Sequence, residues 1–277
     1  MPASQAEKAE RFRALHAASG AFVIANAWDA GSARILTGVG FAALATSSGA
    51  AAGMLGRRDG GITRAESLAH AKAVLEATDL PVSADLENGF GAEPATVAET
   101  IRRCAAAGAV GGSIEDATRS GERPLFNLPV AVERVAAAVE AARALPFPFT
   151  LTARAEGFLY PHPDLGDVIA RLQAFERAGA DVLFAPGLPD LDAVRAVCRA
   201  VSRPVSFMIA IRGRSFSVAE LAAAGVKRVS LATSLYRAAM TGLLAAAREM
   251  HDHGTCNYLE DTLPTADLNR LLADGTV

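Results

Sequence analysis

Short apolar segments recur along the chain, and segments with helical spacing of apolar residues, such as "EPATVAETIRRCAAAG", separate them. Near-continuous apolar strands that alternate with helices are typical of a parallel sheet covered by helices. Eight such strands predict a closed (β/α)8 barrel of the TIM type, an α/β fold, with an open doubly wound sheet as the alternative. The predicted strands cover residues 22–26, 41–47, 81–87, 109–115, 149–155, 181–187, 204–209 and 228–234.

The residues that lead into these strands alternate. Strands two, four, six and eight follow a glycine, in "GVGFA", "AAGAV", "RAGAD" and "AAGVK", whereas strands three, five and seven follow a proline, in "LPV", "FPF" and "RPV". Glycine suits the left-handed residue that ends a helix. The alternation favours a repeated βαβα unit within one domain over 1–277, with the barrel over about 20–250 and a helical tail after it.

Composition narrows the class of protein. The 277 residues are close to the roughly 250 of a typical eight-stranded α/β barrel. A net charge of -3 without a basic run argues against nucleic-acid binding and against an anchor for acidic lipid. Three scattered cysteines suit a reducing compartment, and residues 1–19 are charged rather than apolar as a secretory signal would be. We expect a cytoplasmic protein that binds neither nucleic acid nor membrane.

Acidic residues cluster at the predicted carboxyl ends of the strands, where such barrels carry their chemistry. Asp85 and Glu87 end strand three in "PVSADLENGFG", Glu115 ends strand four, and Asp59 lies in the loop after strand two. Residues two apart on a strand share a side. Converging carboxylates repel unless a cation lies among them, and an all-oxygen ligand set favours Mg²⁺, with Mn²⁺ possible. The alternative is that each acid is a helix cap or a solvated loop residue.

Glycines follow the acidic pair directly. Gly89 and Gly91 are expected to let the backbone turn sharply and approach a ligand without side-chain bulk.

Five segments in order resemble the isocitrate lyase/phosphoenolpyruvate mutase superfamily. "SADLENGFG" is similar to its D-x-[DE]-x-G-[YF]-G segment, and the others are "NAWDAGSARI", "GFAALATSSGA" with "LGRRDGGIT", "AGAVGGSIEDA" and "FTLTARAEGF". The resemblance spans about residues 20–250. It implies a modified α/β barrel that binds Mg²⁺ and a small α-keto acid. It also implies a homo-oligomer, a dimer or a tetramer that exchanges its last helix.

The resemblance also implies roles for individual residues. Asp85 would coordinate the metal most directly, and Asp59, Glu87 and Glu115 would act mainly through its waters. Arg154 would hold the keto or enolate oxygen and part of the substrate carboxylate, and Arg154 and Asp59 would form the catalytic pair. The substrate would contact Ser47, Ser48, Gly49, Asp85 and Arg154. Two alternatives remain: Arg154 forms an ion pair with Glu156 or Glu115, and the serines only line the barrel.

The chain departs from the family in the loop after strand four. The family's isocitrate and methylisocitrate lyases carry K-[KR]-C-G-H there, whereas this chain has "EDATRSGERPLFNLPVA". Pro186 and Met208 occupy places where those lyases have a glutamate and an asparagine, which argues against a bulky tricarboxylate substrate. Arg119, Arg123 and Asn127 could imitate part of the loop of the phosphoryl-transferring branch.

Three functional interpretations follow. The first is a Mg²⁺-dependent lyase or decarboxylase, which acts through a metal-bound enolate on a small α-keto or 2-hydroxy acid such as pyruvate, oxaloacetate or 2-oxoglutarate. The second is C–P chemistry of the phosphoenolpyruvate phosphonomutase or phosphonopyruvate hydrolase type. The third is a barrel that binds an α-keto acid without turning it over.

Overall fold

Eight parallel strands form a closed barrel in sequence order in the computed structural model, which describes residues 3–119, 121 and 123–274. The last strand pairs with the first through Phe22 and Arg228, which closes the sheet and excludes the open doubly wound alternative. The strands are β1 (Phe22–Asn26), β2 (Leu44–Ala45), β3 (Val82–Asp85), β4 (Gly111–Glu115), β5 (Thr150–Arg154), β6 (Val182–Phe184), β7 (Val205–Met208) and β8 (Val226–Ser230).

Helices surround the barrel and extend beyond it. The helices up to β8 are α1 (Gln5–Ala17), α2 (Ala30–Val39), α3 (Ser48–Met54), α4 (Arg64–Glu76), α5 (Pro94–Ala106), α6 (Leu128–Arg143), α7 (Leu165–Arg177), α8 (Leu191–Ala200) and α9 (Val218–Ala223). A 3₁₀ turn at Gly157–Leu159 follows β5. After β8 come α10 (Ser234–His253), a 3₁₀ turn at Asn257–Asp261, and α11 (Thr265–Asp274). The prediction of a barrel with a helical tail is confirmed.

The glycines before the even-numbered strands end helices, as predicted. Each has a positive φ, between 96° and 111°, which a residue with a side chain rarely adopts. These residues are Gly40, Gly108, Gly179 and Gly225. The hydrophobic pattern and these helix ends together explain why the chain repeats one βα unit around a ring.

The apolar core lies between the strands and the helices, whereas the barrel interior is polar. Phe175, Leu183 and Phe207 belong to the largest buried apolar cluster outside the barrel. Inside the barrel, Ser83, Thr152 and Ser206 are buried with small hydroxyl side chains. Small polar residues do not fill a barrel interior as bulky branched residues do. They leave space beneath its mouth.

Several predicted strand limits were wrong. β2 spans only Leu44–Ala45, because Ser47 ends the extended segment as the N-cap of α3. β8 begins at Val226, two residues before the predicted start, and ends at Ser230.

The two glycines after β3 have a packing role that the sequence did not indicate. A Cβ at Gly89 would lie 3.0 Å from Val97, and one at Gly91 would lie 2.6 Å from Thr96, both on α5. The positive φ of Gly89, 79°, agrees with the predicted sharp turn, and both glycines also allow close packing of the loop on α5. Their approach to a ligand stays a prediction.

The end of the C-terminal segment packs on the barrel through α11. None of the residues of α10 is buried. α11 packs on α2, where Arg34 Nη1 donates to the carbonyl of Leu272 at 2.6 Å and Leu271 is buried. Within the described ranges, no helix combines the length and the apolar character needed to cross a membrane.

Candidate active site

A cavity of about 370 Å³ opens at the carboxyl ends of the strands. Most of the predicted site residues line it, because parallel strands deliver their ends to one face of the barrel. The polar residues around it include Ser47, Ser48, Asp59, Asp85, Glu115, Arg119, Arg154, Glu156 and Tyr160. The structure therefore brings together residues from the loops after β2, β3, β4 and β5.

Asp85, the last residue of β3, is held by donors on two sides. Ser48 donates to it from its backbone N–H at 3.0 Å and from its hydroxyl at 2.8 Å, and Arg154 Nη1 donates at 3.0 Å. Burial favours the neutral acid, but the Arg154 charge and the Ser48 hydrogen bonds outweigh it and hold the pKa of Asp85 below its ordinary value. Asp85 is therefore an ionised carboxylate facing the cavity.

Arg154 contacts three carboxylates. Its Nε lies 2.8 Å from Glu156, its Nη1 lies 3.0 Å from Asp85, and its Nη2 lies 3.3 Å from Glu115. The guanidinium carbon also lies 5.2 Å from the centre of the Phe184 ring. The ion-pair alternative for Arg154 is thus realised, with both of the predicted partners and with Asp85. Because a guanidinium has five N–H groups, two remain for a ligand in the cavity.

Glu87 and Glu115 are buried acids with raised pKa values. Burial raises the pKa of Glu87 to about 7, Arg119 opposes the rise, and Asp85 and Glu115 add to it. Burial likewise raises the pKa of Glu115 to about 7 against the charge of Arg154. Glu87 Oε1 is buried without a hydrogen-bond partner in the described part of the chain. These two acids can accept a cation, which would favour their ionised forms.

Glu87 reaches the cluster by a different route from the one predicted. β3 ends at Asp85, and Glu87 has a φ of 49°, so the two carboxylates are not successive same-side residues of a strand. Instead the chain turns, and the Glu87 N–H points to Asp85 Oδ1 at 3.4 Å. A positive φ at a residue other than glycine is a strained conformation of the kind that concentrates at functional sites.

Arg119 was a loose candidate in the sequence, and it lies within the acidic cluster. Its Nη2 lies 2.7 Å from Glu115 and 3.5 Å from Glu87. The guanidinium also lies against Gly60, where a Cβ would be only 2.5 Å from Nη1. Its spacing of four residues from Glu115 is the only sequence signal that could have placed it there.

The serine segment after β2 lies against the acidic residues at the edge of the cavity. Ser47 caps α3, and the Ser48 hydroxyl donates to Asp85 and lies 3.4 Å from Asp59. A Cβ at Gly49 would lie 3.2 Å from the Asp59 carboxylate, so a side chain at this position would press on Asp59. The segment is at the site as predicted, and its binding of a substrate carboxylate stays a prediction.

Some other polar residues at strand ends have structural roles. Asp116 forms a buried ion pair with Arg171 at 3.1 Å and accepts the Glu156 N–H at 2.9 Å. Asp29 and Asn127 are N-caps of α2 and α6. Cys104 is buried with a pKa raised to about 12, and none of the three cysteines lines the cavity. No cysteine therefore replaces the missing cysteine of the lyase loop.

The donor set was tested for its fit to Mg²⁺. In the described residues, no group of three or more Asp, Glu, His or Cys side chains is arranged to hold a metal by itself. Mg²⁺, however, is usually bound by one or two carboxylates and keeps several waters. Asp85 is ionised, Glu87 has a buried oxygen without a partner among the described residues, and Asp59 and Glu115 lie nearby. These residues fit a water-rich Mg²⁺ site centred on Asp85.

The closed barrel and its acidic cavity define a protein of the α/β-barrel class whose site is suited to a small acid and a hard cation. The chain belongs to the isocitrate lyase/phosphoenolpyruvate mutase superfamily: the family model described as phosphoenolpyruvate phosphomutase matches residues 12–251. The resemblance found in the sequence is confirmed.

Individual relatives agree with this membership. The 2-methylisocitrate lyase of Escherichia coli (strain K12) is 31% identical over 226 residues, which are 78% of this chain and 75% of that protein. A crystal structure of a lyase/mutase-like protein of Burkholderia cenocepacia J2315 is 53% identical, has a TM-score of 0.97 and covers 99% of each chain. The crystal structure of 2,3-dimethylmalate lyase is 26% identical and has a TM-score of 0.86. The match covers 96% of this chain and 94% of the lyase chain.

Proposed function

We propose that the protein is a Mg²⁺-dependent enzyme that makes or breaks a C–C bond beside the keto or hydroxy group of a small carboxylic acid. The superfamily comprises lyases and mutases that act on small carboxylic acids. The observation that carries the proposal is the cluster of Asp85, Glu115 and Glu156 around Arg154 at the mouth of the barrel. Such a cluster serves a reaction in which negative charge develops on a substrate oxygen.

Each residue of the cluster has a distinct task in this proposal. Asp85 holds Mg²⁺ directly, and Asp59, Glu87 and Glu115 hold it through waters. When bound, the ion supplies a positive charge that polarises the oxygens of the substrate. Arg154 is fixed by its carboxylates and directs its remaining N–H groups at the keto oxygen and the adjacent carboxylate. Fixed donors need little reorganisation during the reaction.

The shape of the cavity supports a small substrate. Phe184, Met208 and Ile211 line the side formed by β6, β7 and the segment after β7. A third carboxylate placed against these apolar side chains would lose its hydration without gaining a partner. Acids of about three to five carbons should therefore bind better than isocitrate.

C–P chemistry is the second candidate. Arg119 favours C–P chemistry, because this side chain adds a second guanidinium beside Glu115. Arginine is well suited to phosphonate and phosphate oxygens. The family model that matches the chain carries the description phosphoenolpyruvate phosphomutase. A barrel that binds an α-keto acid without turnover is the third candidate.

A product assay separates the candidates. The purified protein is incubated with a panel of 2-oxo and 2-hydroxy acids, isocitrate and phosphonopyruvate, with Mg²⁺ or with a chelator. We expect Mg²⁺-dependent release of a 2-oxo acid product from a small acid of the panel. Products from phosphonopyruvate alone would favour C–P chemistry. Binding of 2-oxo acids without any product would favour the silent barrel.

We also propose a homo-oligomer, a dimer or a tetramer. α10 exposes large apolar side chains, although it is twenty residues long and none of its residues is buried within the chain. An exposed apolar surface of this kind marks an interaction site. The resemblance to the superfamily favours a second copy of the chain as the partner.

A further inference from the structure

Arg228 lies in the interior of the barrel on β8. It is only 5% exposed, and it lines the floor of the cavity below the acidic cluster. Its Nε donates to the Ser206 hydroxyl at 3.1 Å, and its Nη2 donates to the Thr152 hydroxyl at 3.0 Å. Its Nη1 is buried without a hydrogen-bond partner among the described residues.

The charge of Arg228 is not compensated in the described part of the chain. Its two bonded partners are neutral hydroxyls, and among the described residues no carboxylate forms an ion pair with it. Burial, together with repulsion from Arg154, lowers the pKa of Arg228 to about 9. An unpaired buried charge is destabilising, and an anion that entered the cavity and paired with Arg228 would remove this cost.

Other buried arginines of the chain find their partners inside the protein. Arg171 pairs with Asp116 and Asp167. Arg134 donates to the backbone carbonyls of Asn88, Gly91 and Ala92 and stacks on Phe126. Neither residue lines the cavity. Arg134 also lacks a carboxylate partner among the described residues, and its Nε is buried there without a hydrogen bond. Arg228 differs from both arginines because it faces a space that a ligand can enter.

The other arginines of the cavity are engaged. Arg119 and Arg154 contact carboxylates, and Arg237 donates to the carbonyl of Ala210 at an exposed position. The acids at the mouth repel a second anionic group of a substrate, whereas the floor attracts it. The interior hydroxyls beside Arg228, such as Thr152, offer further polar contacts there.

We infer that Arg228 is a specificity residue that binds the second carboxylate of a 2-oxo or 2-hydroxy dicarboxylate at the floor of the cavity. This inference rests on the proposed function, since the first carboxylate and the keto oxygen are assigned to Arg154 and the metal. The substrate then bridges two guanidinium groups, one at the mouth and one at the floor.

The test compares two acids that share one carbon chain and differ only in the terminal carboxylate: 2-oxoglutarate and 2-oxopentanoate. Their dissociation constants are measured by calorimetry with Mg²⁺ for the parent protein and for Arg228→Met. The parent should prefer 2-oxoglutarate by roughly 10- to 100-fold, the factor that a charge-assisted hydrogen bond provides. Arg228→Met should lose this preference and still bind 2-oxopentanoate like the parent.

Thermal unfolding of Arg228→Met checks its fold, and Thr152→Val serves as a second variant, since it removes one acceptor that orients the guanidinium. Thr152→Val should weaken the preference without abolishing it. An unchanged preference in Arg228→Met, or no preference in the parent, would overturn the assignment of Arg228 and leave the proposed function standing. A parent protein that binds neither acid would overturn both.

Discussion

Arg154 is the residue on which the candidate site depends most. Its guanidinium links three carboxylates from the ends of neighbouring strands and still faces the cavity. The sequence placed Arg154 at the mouth but treated the ion pair and ligand binding as alternatives. The geometry makes them compatible, because a planar group with five N–H donors can serve both.

Arg154→Lys should weaken the binding of 2-oxo acids by roughly 2–3 kcal/mol, since lysine keeps the charge but cannot reproduce the forked geometry. The variant should also unfold at a lower temperature, because one ammonium group cannot contact Glu156, Asp85 and Glu115 together. Calorimetry with pyruvate and thermal unfolding measure the two effects.

The matched control for this prediction is Arg143→Lys, which changes a surface pair with Asp181 in the same way. The control should leave both quantities unchanged. Binding by Arg154→Lys equal to that of the parent would show that Arg154 serves the fold alone.

His16 gives a pH dependence that can be attributed to one residue. Burial and the nearby charge of Arg228 lower the pKa of His16 from 6.5 to about 3. Between these values the unfolded chain binds a proton that the folded chain does not, so this contribution to stability is lost as the pH falls below 6.5. At pH 5 the loss is about 2 kcal/mol.

His16→Phe should remove this loss, because phenylalanine does not titrate and the site is already formed by the rings of Phe12 and Phe22. Between pH 7 and pH 5, the free energy of unfolding should therefore fall by about 2 kcal/mol more in the parent than in the variant. Urea unfolding at both pH values measures this difference. His251→Phe, at an exposed position, should show no such difference from the parent, and an equal difference in that control would rule out His16 as the source.

At the scale of elements, the strands and helices follow from the sequence more closely than their limits do. The glycines that end four helices, and the apolar segments that follow them, predicted the repeat correctly. The predicted strand limits at the mouth were wrong where the N-cap of the next helix ends the extended backbone, as at Ser47. A shift of two residues in β8 had the largest consequence: it places Arg228 in the middle of a strand instead of at its start.

The candidate site was likewise only partly predictable from the sequence. Asp85 and Glu115 were predictable because parallel strands bring their carboxyl ends together. The contacts of Arg119 with Glu87 and Glu115 were not, since they depend on a loop in which Arg119 has a φ of 63°. No periodic pattern encodes such a turn.

α10 is the element whose apolar surface calls for a partner. Leu243 is 64% exposed in the single chain. Leu243→Glu should shift the protein towards smaller assemblies, because a charge buried in an apolar interface without a partner is destabilising. Light scattering after size-exclusion chromatography measures the change.

Ala245→Glu is the control for this variant, because position 245 is exposed and lies on the side of the helix away from Leu243. It should leave the assembly intact. A parent protein that is monomeric at all concentrations would contradict the proposed oligomer.

In the whole molecule, the residues that stabilise the fold lie apart from those proposed to carry the chemistry. The apolar core between strands and helices holds the barrel together, and the interior is lined by small hydroxyl side chains. The mouth concentrates carboxylates that an ordinary surface would disperse. Membership in the superfamily accounts for this distribution, and the position of Asp85 makes it the centre of the proposed metal site.

The central claim is that a cation held by Asp85 is required for binding of a 2-oxo acid. The most direct measurement is calorimetric titration of pyruvate into the parent protein and into Asp85→Asn, each with Mg²⁺ and with a chelator. The amide has the shape of the carboxylate, so the barrel should stay folded. Only the parent with Mg²⁺ should bind pyruvate. Equal binding by the parent without Mg²⁺, or by Asp85→Asn with it, would contradict the account.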